Sequence, residues 1–517
     1  MEKKVSVIIV HWNTEEKLRS QLAALGNNEK LHIIVIDNAS TIDATWIQTE
    51  YPYVTAVLNP QNRGYAFACN QGTIQAIGQW LLFLNPDVLI TADHVLNMIQ
   101  QMSERKLDAA SPLPDNTKDY LKPVPSVISL LIEFTPLHKI IPSSVFAKKT
   151  LWGGCLLIKK ETVLSIGGWD ERFFLWFEDS DLTRRLLNNR YQCGFIKVDG
   201  LKHSGGESFK LVDDAKKRQI FFHSMDVYSK KYFSYFGQFI IKLLKTKYSK
   251  HTLLPVESKG VSLTVPNLKK DLLLEFLQTN YEYLHSTDET VIVTSAVSSD
   301  EVWELRKYFS EVRFITIKTN KGFASTVNIG FRVSRSPWTG TVNDDVVFEN
   351  EWFNKVIVNG NENTGSLNPV IYSDNTTIES AGINVLLKGK AETQTTIKST
   401  DEYESPATNG AAVIYNHVAL DRVGLFDERF GSYLEDIDLA LRLKRSKYKN
   451  LIIPTVKVIH VGHQTAKTVL RRKKAWLDAR NWCYVIIKNW SLLQIIQHIP
   501  QIVVERMRNL NGIRKAQ

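Results

Sequence analysis

The sequence is poor in cysteine and has no long apolar run, and these two shortages exclude several classes of protein. Its 517 residues include four cysteines (Cys69, Cys155, Cys193 and Cys483), none of them in a C-x-x-C pair. This argues against a disulfide scaffold or a thiolate zinc site and indicates a reducing, cytosolic compartment. No run of about 18 apolar residues occurs, so we expect no membrane-spanning helix. The run at residues 5–10 is too short for the apolar core of a signal peptide.

Positive charge is concentrated in two segments of the chain, whose net charge is +10. Residues 202–250 contain 11 Lys and Arg against 4 Asp and Glu, and residues 464–517 contain 11 against 2. Both segments interleave cations with aromatic and aliphatic residues, which suits a helix lying on an anionic membrane surface. The alternative is a solvated helix face that packs its other side on a domain. Nucleic acid is disfavoured as a partner, because the charge is confined to these segments and no nucleic-acid-binding motif is present.

An internal repeat determines the predicted domain organisation. The motif N-R-G at residues 62–64 recurs as N-K-G at residues 320–322, and residues 169–187 match residues 426–444 at ten of nineteen positions. Chance would give roughly one match at average composition. We therefore predict two copies of one domain, at residues 1–255 and 256–517, each ending in a basic helical extension.

Each copy is predicted to be an α/β domain with a mostly parallel sheet. Short β-branched runs separated by helical patterns indicate strands that are buried on both faces. In the first copy these runs are residues 5–10, 31–36 and 80–84. Because ligands bind beyond the carboxyl ends of such strands, Asp37 and Asp87 are expected to face one crevice.

Carboxylates and histidines recur in both copies as candidates for chemistry. Asn85-Pro86-Asp87 and Asn343-Asp344-Asp345 follow equivalent strands, where a carboxylate can hold Mg²⁺ or Mn²⁺ or simply form a turn. His203 and His460 also recur, and either could be a metal ligand or a structural residue.

A carboxylate cluster opens a predicted helix in each copy. Three carboxylates fall within four residues, as Glu178, Asp179 and Asp181 in the first copy and as Glu435, Asp436 and Asp438 in the second. A helix N-terminus favours the ionised form, so an Asp there can act as a base at neutral pH. Acidic first turns also occur only to stabilise helices.

These motifs together resemble family-2 glycosyltransferases of the GT-A fold, and within them the bacterial rhamnosyltransferase-like group that builds surface polysaccharides. The resemblance rests on an ordered set of motifs: residues 5–13, 36–40, 62–64, 84–87, 153–155, 168–171 and 178–181. It implies two tandem GT-A domains, Rossmann-like with mostly parallel sheets, each followed by basic amphipathic helices.

The resemblance also implies a role for each candidate residue. Asp179 and Asp436 would be the catalytic bases. Mg²⁺ or Mn²⁺ would be held by Asp87 and His203 in the first copy and by Asp345 and His460 in the second. The nucleotide-sugar donor would be bound by Asp37, Asn62, Gly64, Asn85, Glu178 and Asp181, and by Asn320, Asn343, Glu435 and Asp438.

The implied function is a bifunctional, metal-dependent, inverting glycosyltransferase. It would add two sugars, from dTDP-rhamnose or a UDP-sugar, to a growing surface polysaccharide such as O-antigen or capsule. The acceptor would be polyprenyl-diphosphate-linked, and the protein would be cytoplasmic and peripheral on the inner face of the cell membrane. The alternative is a single active site, with a second half that binds glycan or acts as a scaffold.

Two differences between the copies bear on that alternative. At an offset of 258, Asp37 falls on Ser295, so the carboxylate expected to grip the nucleotide is missing from the second copy. Residues 112–142, expected to shape the acceptor site, hold six of the sixteen prolines, whereas the region after Pro369 is rich in Thr, Ser and Glu. Different walls indicate different acceptors.

Overall fold

Each copy of the repeat folds around its own β-sheet, and the chain divides into two units. The structure, a computed structural model, describes residues 3–113, 121–203, 211–462 and 471–515. Unit 1 comprises residues 1–251 with Ser299–Ser310, and unit 2 comprises Thr252–Ser298 with residues 311–517. The division after His251 lies close to the boundary that the repeat predicted. Ser299–Ser310 belongs to the second copy in sequence but to unit 1 in space.

Unit 1 alternates strands and helices along the chain. Its elements are β1 (Val5–His11), α1 (Glu15–Leu25), β2 (Leu31–Asp37), α2 (Trp46–Glu50), β3 (Thr55–Leu58), α3 (Tyr65–Gln75), β4 (Trp80–Leu84), β5 (Val88–Leu89), α4 (Ala92–Glu104), β6 (Ala109–Leu113), α5 (Val127–Glu133), β7 (Cys155–Lys159), α6 (Lys160–Ser165), α7 (Glu178–Asn188), β8 (Cys193–Lys197), β9 (Lys202–His203), α8 (Asp214–Tyr232) and α9 (Tyr235–Tyr248). Two 3₁₀ helices, Pro136–Lys139 and Ser143–Val145, follow α5. The three predicted strands are confirmed as β1, β2 and β4.

The sheet of unit 1 has seven strands in the order β3-β2-β1-β4-β7-β6-β8. β1 pairs in parallel with β2 and β4, β2 with β3, and β6 with β8, whereas β7 is antiparallel to β4 and β6. The predicted mostly parallel sheet is confirmed. The apolar side chains of β1 and β4 are buried, except for the partly exposed Val10, as expected for strands covered by helices on both faces.

Unit 2 has more strands, because additional hairpins lie between its equivalent elements. Its elements are β10 (Val261–Asn267), α10 (Lys270–Leu284), β11 (Glu289–Thr294), β12 (Val312–Thr316), α12 (Phe323–Val333), β13 (Trp338–Val342), β14 (Val346–Val347), α13 (Trp352–Ile357), β15 (Thr364–Tyr372), β16 (Ile378–Ser380), β17 (Ile383–Leu386), β18 (Lys390–Thr393), β19 (Tyr403–Glu404), β20 (Ala412–Asn416), α14 (His417–Val423), α15 (Glu435–Arg445), β21 (Lys449–His460), α16 (Arg471–Asn489) and α17 (Leu492–Lys515). Helix α11 (Ser299–Tyr308), between β11 and β12 in sequence, belongs to unit 1.

The two sheets share one strand order, which confirms the repeat in three dimensions. The main path of unit 2 runs β12-β11-β10-β13-β20-β15-β21, and β14 continues it beyond β21. Strand β20 is antiparallel to its neighbours β13 and β15, as β7 is in unit 1. The same seven positions are therefore occupied in both units.

Each unit also contains a helical hairpin at the end of its sequence copy. The hairpins are α8 with α9, and α16 with α17. Several large apolar side chains on the second helix of each hairpin are exposed to solvent: Tyr235, Phe236, Phe239 and Leu243 on α9, and Leu492, Leu493, Ile496, Ile499, Val503, Val504 and Met507 on α17. Within the described part of the chain, we find no helix with the length and apolar character needed to cross a membrane.

Candidate active site

The carboxyl ends of β1, β2 and β4 bring the candidate residues of unit 1 to one edge of the sheet. β1 lies between the other two strands, with His11 paired to Asp37 and Ile9 paired to Leu84. Asp87 follows three residues after Leu84. The predicted placement of Asp37 and Asp87 beside one crevice agrees with this topology.

Asp37 is buried and held by its immediate neighbours. Its Oδ1 accepts a hydrogen bond from Ser40 Oγ (2.5 Å) and its Oδ2 accepts one from the Ser40 backbone N–H (3.0 Å). His11 Nε2 lies 3.7 Å from Asp37 Oδ1, and burial lowers the pKa of His11 despite the charge of Asp37. The lowered pKa favours the neutral imidazole of His11. His11 and Asp37 together therefore offer hydrogen-bonding groups to a polar ligand, and only Asp37 is charged.

The Asn-x-Gly motif forms the turn that starts α3. Asn62 Oδ1 accepts hydrogen bonds from the Gly64 N–H (3.0 Å) and from Asn38 Nδ2 (3.0 Å). Gly64 has φ 91°, and a Cβ there would lie 2.6 Å from the carbonyl oxygen of Phe174. Both constraints exclude a side chain at this position.

The same turn is built in unit 2. Gly322 has φ 106°, and a Cβ there would lie 2.5 Å from the backbone of Gly431. Asn320 Oδ1 accepts a hydrogen bond from the Gly322 N–H (2.5 Å). The recurrence of this motif therefore has a structural reason, and donor binding by Asn62, Gly64 and Asn320 stays a prediction.

Asp87 and His203 come together through a short antiparallel pairing. Strand β5 places Val88 opposite His203, which brings His203 Nε2 to 3.4 Å from Asp87 Oδ2. The ring of Trp152 packs against His203 with 4.9 Å between ring centroids. Asn85 lines the adjacent cavity, and its N–H donates to the carbonyl of Gly154 (2.9 Å).

Unit 2 repeats this pair and adds a third residue. Val346 pairs with His460, and His460 Nε2 lies 3.1 Å from Asp345 Oδ1. His460 Nδ1 lies 2.9 Å from Glu379 Oε2, and Asn343 Nδ2 lies 3.5 Å from His460 Nε2. Burial alone would lower the pKa of His460, but the two carboxylates raise it to about 10. The sequence did not indicate Glu379, because it lies in a segment without a counterpart in the first copy.

One carboxylate and one histidine per unit suit a divalent cation that shares a diphosphate ligand. Mg²⁺ typically takes one or two carboxylates from the protein and its other ligands from substrate phosphates and water. Among the described residues, no cluster of three or more His, Cys, Asp or Glu side chains has the arrangement of a complete metal site. The residues present therefore fit a cation completed by the substrate, which in unit 2 would have to displace the proton that Asp345 and Glu379 favour on His460.

The carboxylate pair at the start of α7 follows an unusual backbone conformation that recurs in unit 2. Trp176 and Phe177 both have positive φ (65° and 68°), and so do Tyr433 and Leu434 (74° and 68°). Left-handed conformations at non-glycine residues cost about 1–3 kcal/mol each and concentrate at functional sites. Here they aim the first turn of the helix, so that Glu178 and Asp179 line a cavity.

Burial raises the pKa of both carboxyls in this pair. The pKa of Glu178 rises to about 8 through burial and the charge of Asp179, and burial also raises the pKa of Asp179. Asp179 Oδ1 accepts a hydrogen bond from the Ser180 N–H (2.6 Å). Oε2 of Glu178 has no hydrogen-bond partner among the described residues. The pair therefore favours one ionised carboxylate, on Asp179, beside a protonated Glu178 at neutral pH.

The equivalent pair in unit 2 has the same character. Burial raises the pKa of both Glu435 and Asp436, and the charge of Asp436 raises the pKa of Glu435 further. Asp436 accepts hydrogen bonds from the N–H groups of Gly410 (3.0 Å) and Ile437 (2.8 Å). Each unit thus presents a buried aspartate whose orientation is fixed by backbone hydrogen bonds.

Asp181 is buried, and both of its carboxylate oxygens contact other side chains of unit 1. Its side chain is 0% exposed, and Arg185 Nε donates to Oδ2 (2.7 Å) while Tyr232 Oη donates to Oδ1 (2.6 Å). Lys231 Nζ also pairs with Asp181, and it donates to Asp170 at 2.6 Å. These contacts engage both oxygens of Asp181, and its donor-binding role stays a prediction.

Asp438 repeats this arrangement in unit 2. Its side chain is 0% exposed and pairs with Arg442 (2.9 Å) and Lys488 (2.9 Å), while Asn489 donates to its other oxygen (2.9 Å). Lys488 also pairs with Asp427 (2.6 Å). Both oxygens of Asp438 thus have partners within unit 2, and donor binding by Asp438 stays a prediction. We call each such cluster the lysine clamp, because a lysine of the helical hairpin joins two aspartates of the sheet domain.

Comparison with protein families identifies the chain. The family described as "Glycosyl transferase family 2" matches residues 6–161, and "Glycosyltransferase like family 2" matches residues 259–479. The first match includes Asp37 and Asp87 of unit 1. The second match includes Asp345, Asp436 and His460 of unit 2. The chain is a tandem family-2 glycosyltransferase. A third match, "N-terminal domain of galactosyltransferase", covers residues 142–205.

Related family-2 glycosyltransferases include two bacterial rhamnosyltransferases. N-acetylglucosaminyl-diphospho-decaprenol L-rhamnosyltransferase of Mycobacterium tuberculosis is 26% identical over 222 residues, covering 36% of this chain and 71% of the relative. Rhamnosyltransferase WbbL of Escherichia coli is 25% identical over 208 residues, covering 35% and 76%.

Solved structures with some likeness to this chain have low similarity scores. Staphylococcus aureus TarS 1–349 has a TM-score of 0.28 and 16% identity, covering 44% of this chain and 72% of that chain. The mannosyltransferase PcManGT of Pyrobaculum calidifontis, in complex with GDP-Man and Mn²⁺, has a TM-score of 0.35 and 13% identity, covering 58% and 84%.

Strand register corrects one equivalence between the two glycosyltransferase domains. His11 pairs with Asp37 in unit 1, and Asn267 pairs with Thr294 in unit 2. Thr294, and not Ser295, therefore occupies the position of Asp37, and its Oγ1 donates to Asn267 Oδ1 (2.8 Å). The carboxylate is still missing from this strand of the second domain.

A different carboxylate lies close to that position in unit 2. Asp344 Oδ2 accepts a hydrogen bond from Asn267 Nδ2 (2.7 Å), and burial raises the pKa of Asp344 to about 6. In unit 1 the corresponding residue is Pro86. The second domain thus differs from the first in the polar groups that surround the predicted nucleotide position.

Proposed function

We propose that each unit is a separate inverting glycosyl-transfer site, so that the protein adds two sugars in succession to a growing surface polysaccharide such as O-antigen or capsule. The donors are nucleoside-diphosphate sugars, dTDP-rhamnose or a UDP-sugar. The observation that carries this proposal is the duplication of one set of residues on one strand order. A buried Glu-Asp pair, an Asp-His pair and an Asn-x-Gly turn occur in both units.

The base of the reaction in unit 1 is Asp179. The acceptor hydroxyl oxygen bonds to the anomeric carbon of the donor, the bond from that carbon to the diphosphate oxygen breaks, and the hydroxyl proton passes to Asp179. Its backbone hydrogen bond fixes the carboxylate, and its neighbour Glu178 stays protonated because burial raises the pKa of Glu178 to about 8. A single displacement inverts the configuration at the anomeric carbon. Asp436 has the same role in unit 2.

The donor diphosphate is placed at the Asp87 and His203 edge of unit 1 and at the Asp345 and His460 edge of unit 2. The Asp and His side chains there would hold Mg²⁺ or Mn²⁺, which would neutralise the diphosphate as it departs. Asp37 and His11, which lie at neighbouring strand ends, would bind the nucleotide in unit 1.

The proposed acceptor is a saccharide linked through diphosphate to a polyprenyl chain at the inner face of the cell membrane. The name of the Mycobacterium relative, which acts on a decaprenyl-diphosphate-linked sugar, supports this choice. The exposed apolar residues of α9 and α17 also support it, since an apolar helix face with neighbouring lysines or arginines suits an anionic membrane surface. The predicted basic segments include residues 204–210 and 464–470, which lie outside the described residues.

The second candidate function is a single-site enzyme whose unit 2 binds glycan or acts as a scaffold. Thr294 and Asn267 favour it, because they replace the Asp37 and His11 pair of unit 1 with neutral groups. Asp345, Asp436 and His460 favour two active sites, because a scaffold has no need for a buried base and a cation-binding pair.

Two matched variants test the proposal. Asp179→Asn and Asp436→Asn each keep the side-chain shape and remove the base, so one variant should stall before the first sugar and the other after it, or each should fail with only one of two acceptors. Mass spectrometry of the products, with N-acetylglucosaminyl diphosphate on a polyprenyl chain as the first acceptor tried, shows which sugar is missing. An Asp436→Asn protein that still adds every sugar would establish the single-site alternative. Loss of all transfer in both variants would contradict two separable sites.

A further inference from the structure

The segment that connects equivalent strands has different secondary structure in the two units. We call residues 121–154, which precede β7, wall 1, and residues 373–411, between β15 and β20, wall 2. Wall 1 is built from α5 and two 3₁₀ helices, and wall 2 from the short strands β16 to β19. Near its end, each wall contains a glycine that lies against the catalytic aspartate of its unit. Gly153 lies against Asp179, and Gly410 lies against Asp436.

The two walls carry opposite charge. Wall 1 contains four lysines against one acidic residue, and wall 2 contains three lysines against six acidic residues. A diphosphate is attracted to the first and repelled by the second, and such interactions strengthen where water is excluded. Lys122 of wall 1 lines the same cavity as Asp179, and its charge acts to lower the pKa of Asp179 against the larger effect of burial.

Wall 1 is also apolar at its surface, and wall 2 is much less so. Ile128, Leu137, Ile140 and Val145 of wall 1 are 66%, 45%, 77% and 66% exposed. Among the described residues, the exposed large apolar side chains of wall 2 are Leu387 and Ile397, at 38% and 39%. Binding of a hydrocarbon chain is stabilised in proportion to the apolar surface that it removes from water. Wall 1 offers that surface.

The exposed residues of wall 1 are continuous with the lining of a cavity. The cavity has a volume of about 580 Å³, and it is lined by Glu178 and Asp179 together with wall-1 residues such as Leu130, Ile141 and Phe146. Ile140 and Val145 are the chain neighbours of Ile141 and Phe146. One short segment therefore contributes both to the cavity that holds the base and to the exposed apolar surface.

We propose an order for the two transfers: unit 1 acts first, on the sugar next to the lipid diphosphate, and unit 2 then extends the product at a position further from the lipid. This rests on the proposed function. Wall 1 holds the hydrocarbon on Ile128 and Ile140 and the diphosphate near Lys122, while the polar, acidic wall 2 accepts hydroxyl-rich saccharide without a nearby phosphate. In each step an acceptor oxygen replaces the diphosphate oxygen on the anomeric carbon, and the proton passes to Asp179 or Asp436.

The test measures chain dependence in the full-length protein with unit 2 disabled by Asp436→Asn. The acceptors are N-acetylglucosaminyl diphosphate carrying a farnesyl group or a methyl group. We expect kcat/KM to be higher with the farnesyl acceptor, and Ile128→Ser with Ile140→Ser to reduce that preference about tenfold. The control Ile77→Ser changes an equally exposed isoleucine, 62% exposed, that lies beside the amino end of β1. It should leave the preference unchanged.

The outcomes separate this inference from the proposed function. Equal kcat/KM with both acceptors, or an unchanged preference in the double variant, would overturn the inference alone. So would a first sugar that appears on the lipid acceptor with Asp179→Asn but not with Asp436→Asn, since this is the reverse order. No transfer by the unmodified protein with either acceptor would overturn the proposed function and the order with it. Accumulation of a one-sugar lipid product by Asp436→Asn supports the order.

Discussion

Replacing the clamp lysine of unit 1 tests whether Asp181 is structural. Lys231 lies on the helical hairpin, its side chain is 18% exposed, and it pairs with Asp170 and with the fully buried Asp181. Lys231→Met keeps the apolar stem and removes the charge. Breaking a buried ion pair from one side costs about 3–5 kcal/mol, because the remaining charge is left uncompensated.

The lower end of that range applies here. Arg185 and Tyr232 still contact the two oxygens of Asp181 after the substitution, and Arg172 still pairs with Asp170. About 3 kcal/mol corresponds to a roughly 100-fold increase in local opening. Hydrogen exchange followed by mass spectrometry, on peptides from α7 and α8, measures this opening directly.

A neighbouring lysine provides the matched control. Lys230 is 39% exposed and pairs with Asp226 at 2.7 Å on the surface of α8. Lys230→Met should change exchange less than about fivefold, since such pairs contribute about 0–1 kcal/mol. The reasoning is refuted if Lys231→Met leaves exchange in α7 unchanged while it weakens donor binding, because Asp181 would then act on the donor as the sequence first indicated.

Three further predictions concern metal, pH and membrane. Transfer should stop in excess EDTA and return with Mn²⁺ or Mg²⁺, because a departing diphosphate would otherwise add negative charge to a carboxylate-rich site. Full turnover after thorough metal removal would contradict this prediction. The native pKa of Glu178 is about 8 against an ordinary value of 4.5, so the native state binds the extra proton and stability should fall as pH rises from about 5 to about 8. Glu178→Gln should flatten that slope in urea unfolding of the protein, and an unchanged slope would show that another group is responsible. The double variant Leu493→Asn with Ile496→Asn should reduce sedimentation of the protein with anionic vesicles. The control Val358→Asn, at a 79% exposed position of unit 2, should not reduce it. Equal effects of the two changes would argue against a specific membrane-binding face.

Local patterns were sufficient to predict three of the seven strands in the sheet of unit 1. β1, β2 and β4 were predicted from β-branched runs, and the repeat predicted a second sheet that has the same strand order. These features follow from side-chain periodicity and from similarity along the chain, which need no knowledge of distant contacts. Leu182 and Leu186, one turn apart on α7, are buried in the core of unit 1.

The carboxylates show where sequence reasoning stopped. Glu178, Asp179 and Asp181 look alike as a cluster, but residues three or four positions apart share a helix face, and those one or two apart do not. Asp179 lines the cavity, whereas Asp181 faces Arg185 and the clamp lysine. Lys231 lies 50 residues from Asp181, so only the packing of the hairpin could show the pairing.

Strand register and long-range packing decided the rest. A constant offset placed Ser295 opposite Asp37, but the insertions and deletions between the copies shift that offset, and backbone pairing assigns the position to Thr294. Glu379 reaches His460 from a segment with no repeat. Ser299–Ser310 packs in unit 1 although its neighbours along the chain build unit 2. The sequence by itself thus determined the family and the duplication, and it indicated the candidate carboxylates. Tertiary structure alone decided which polar groups meet, because those contacts depend on register and on side-chain direction between distant segments.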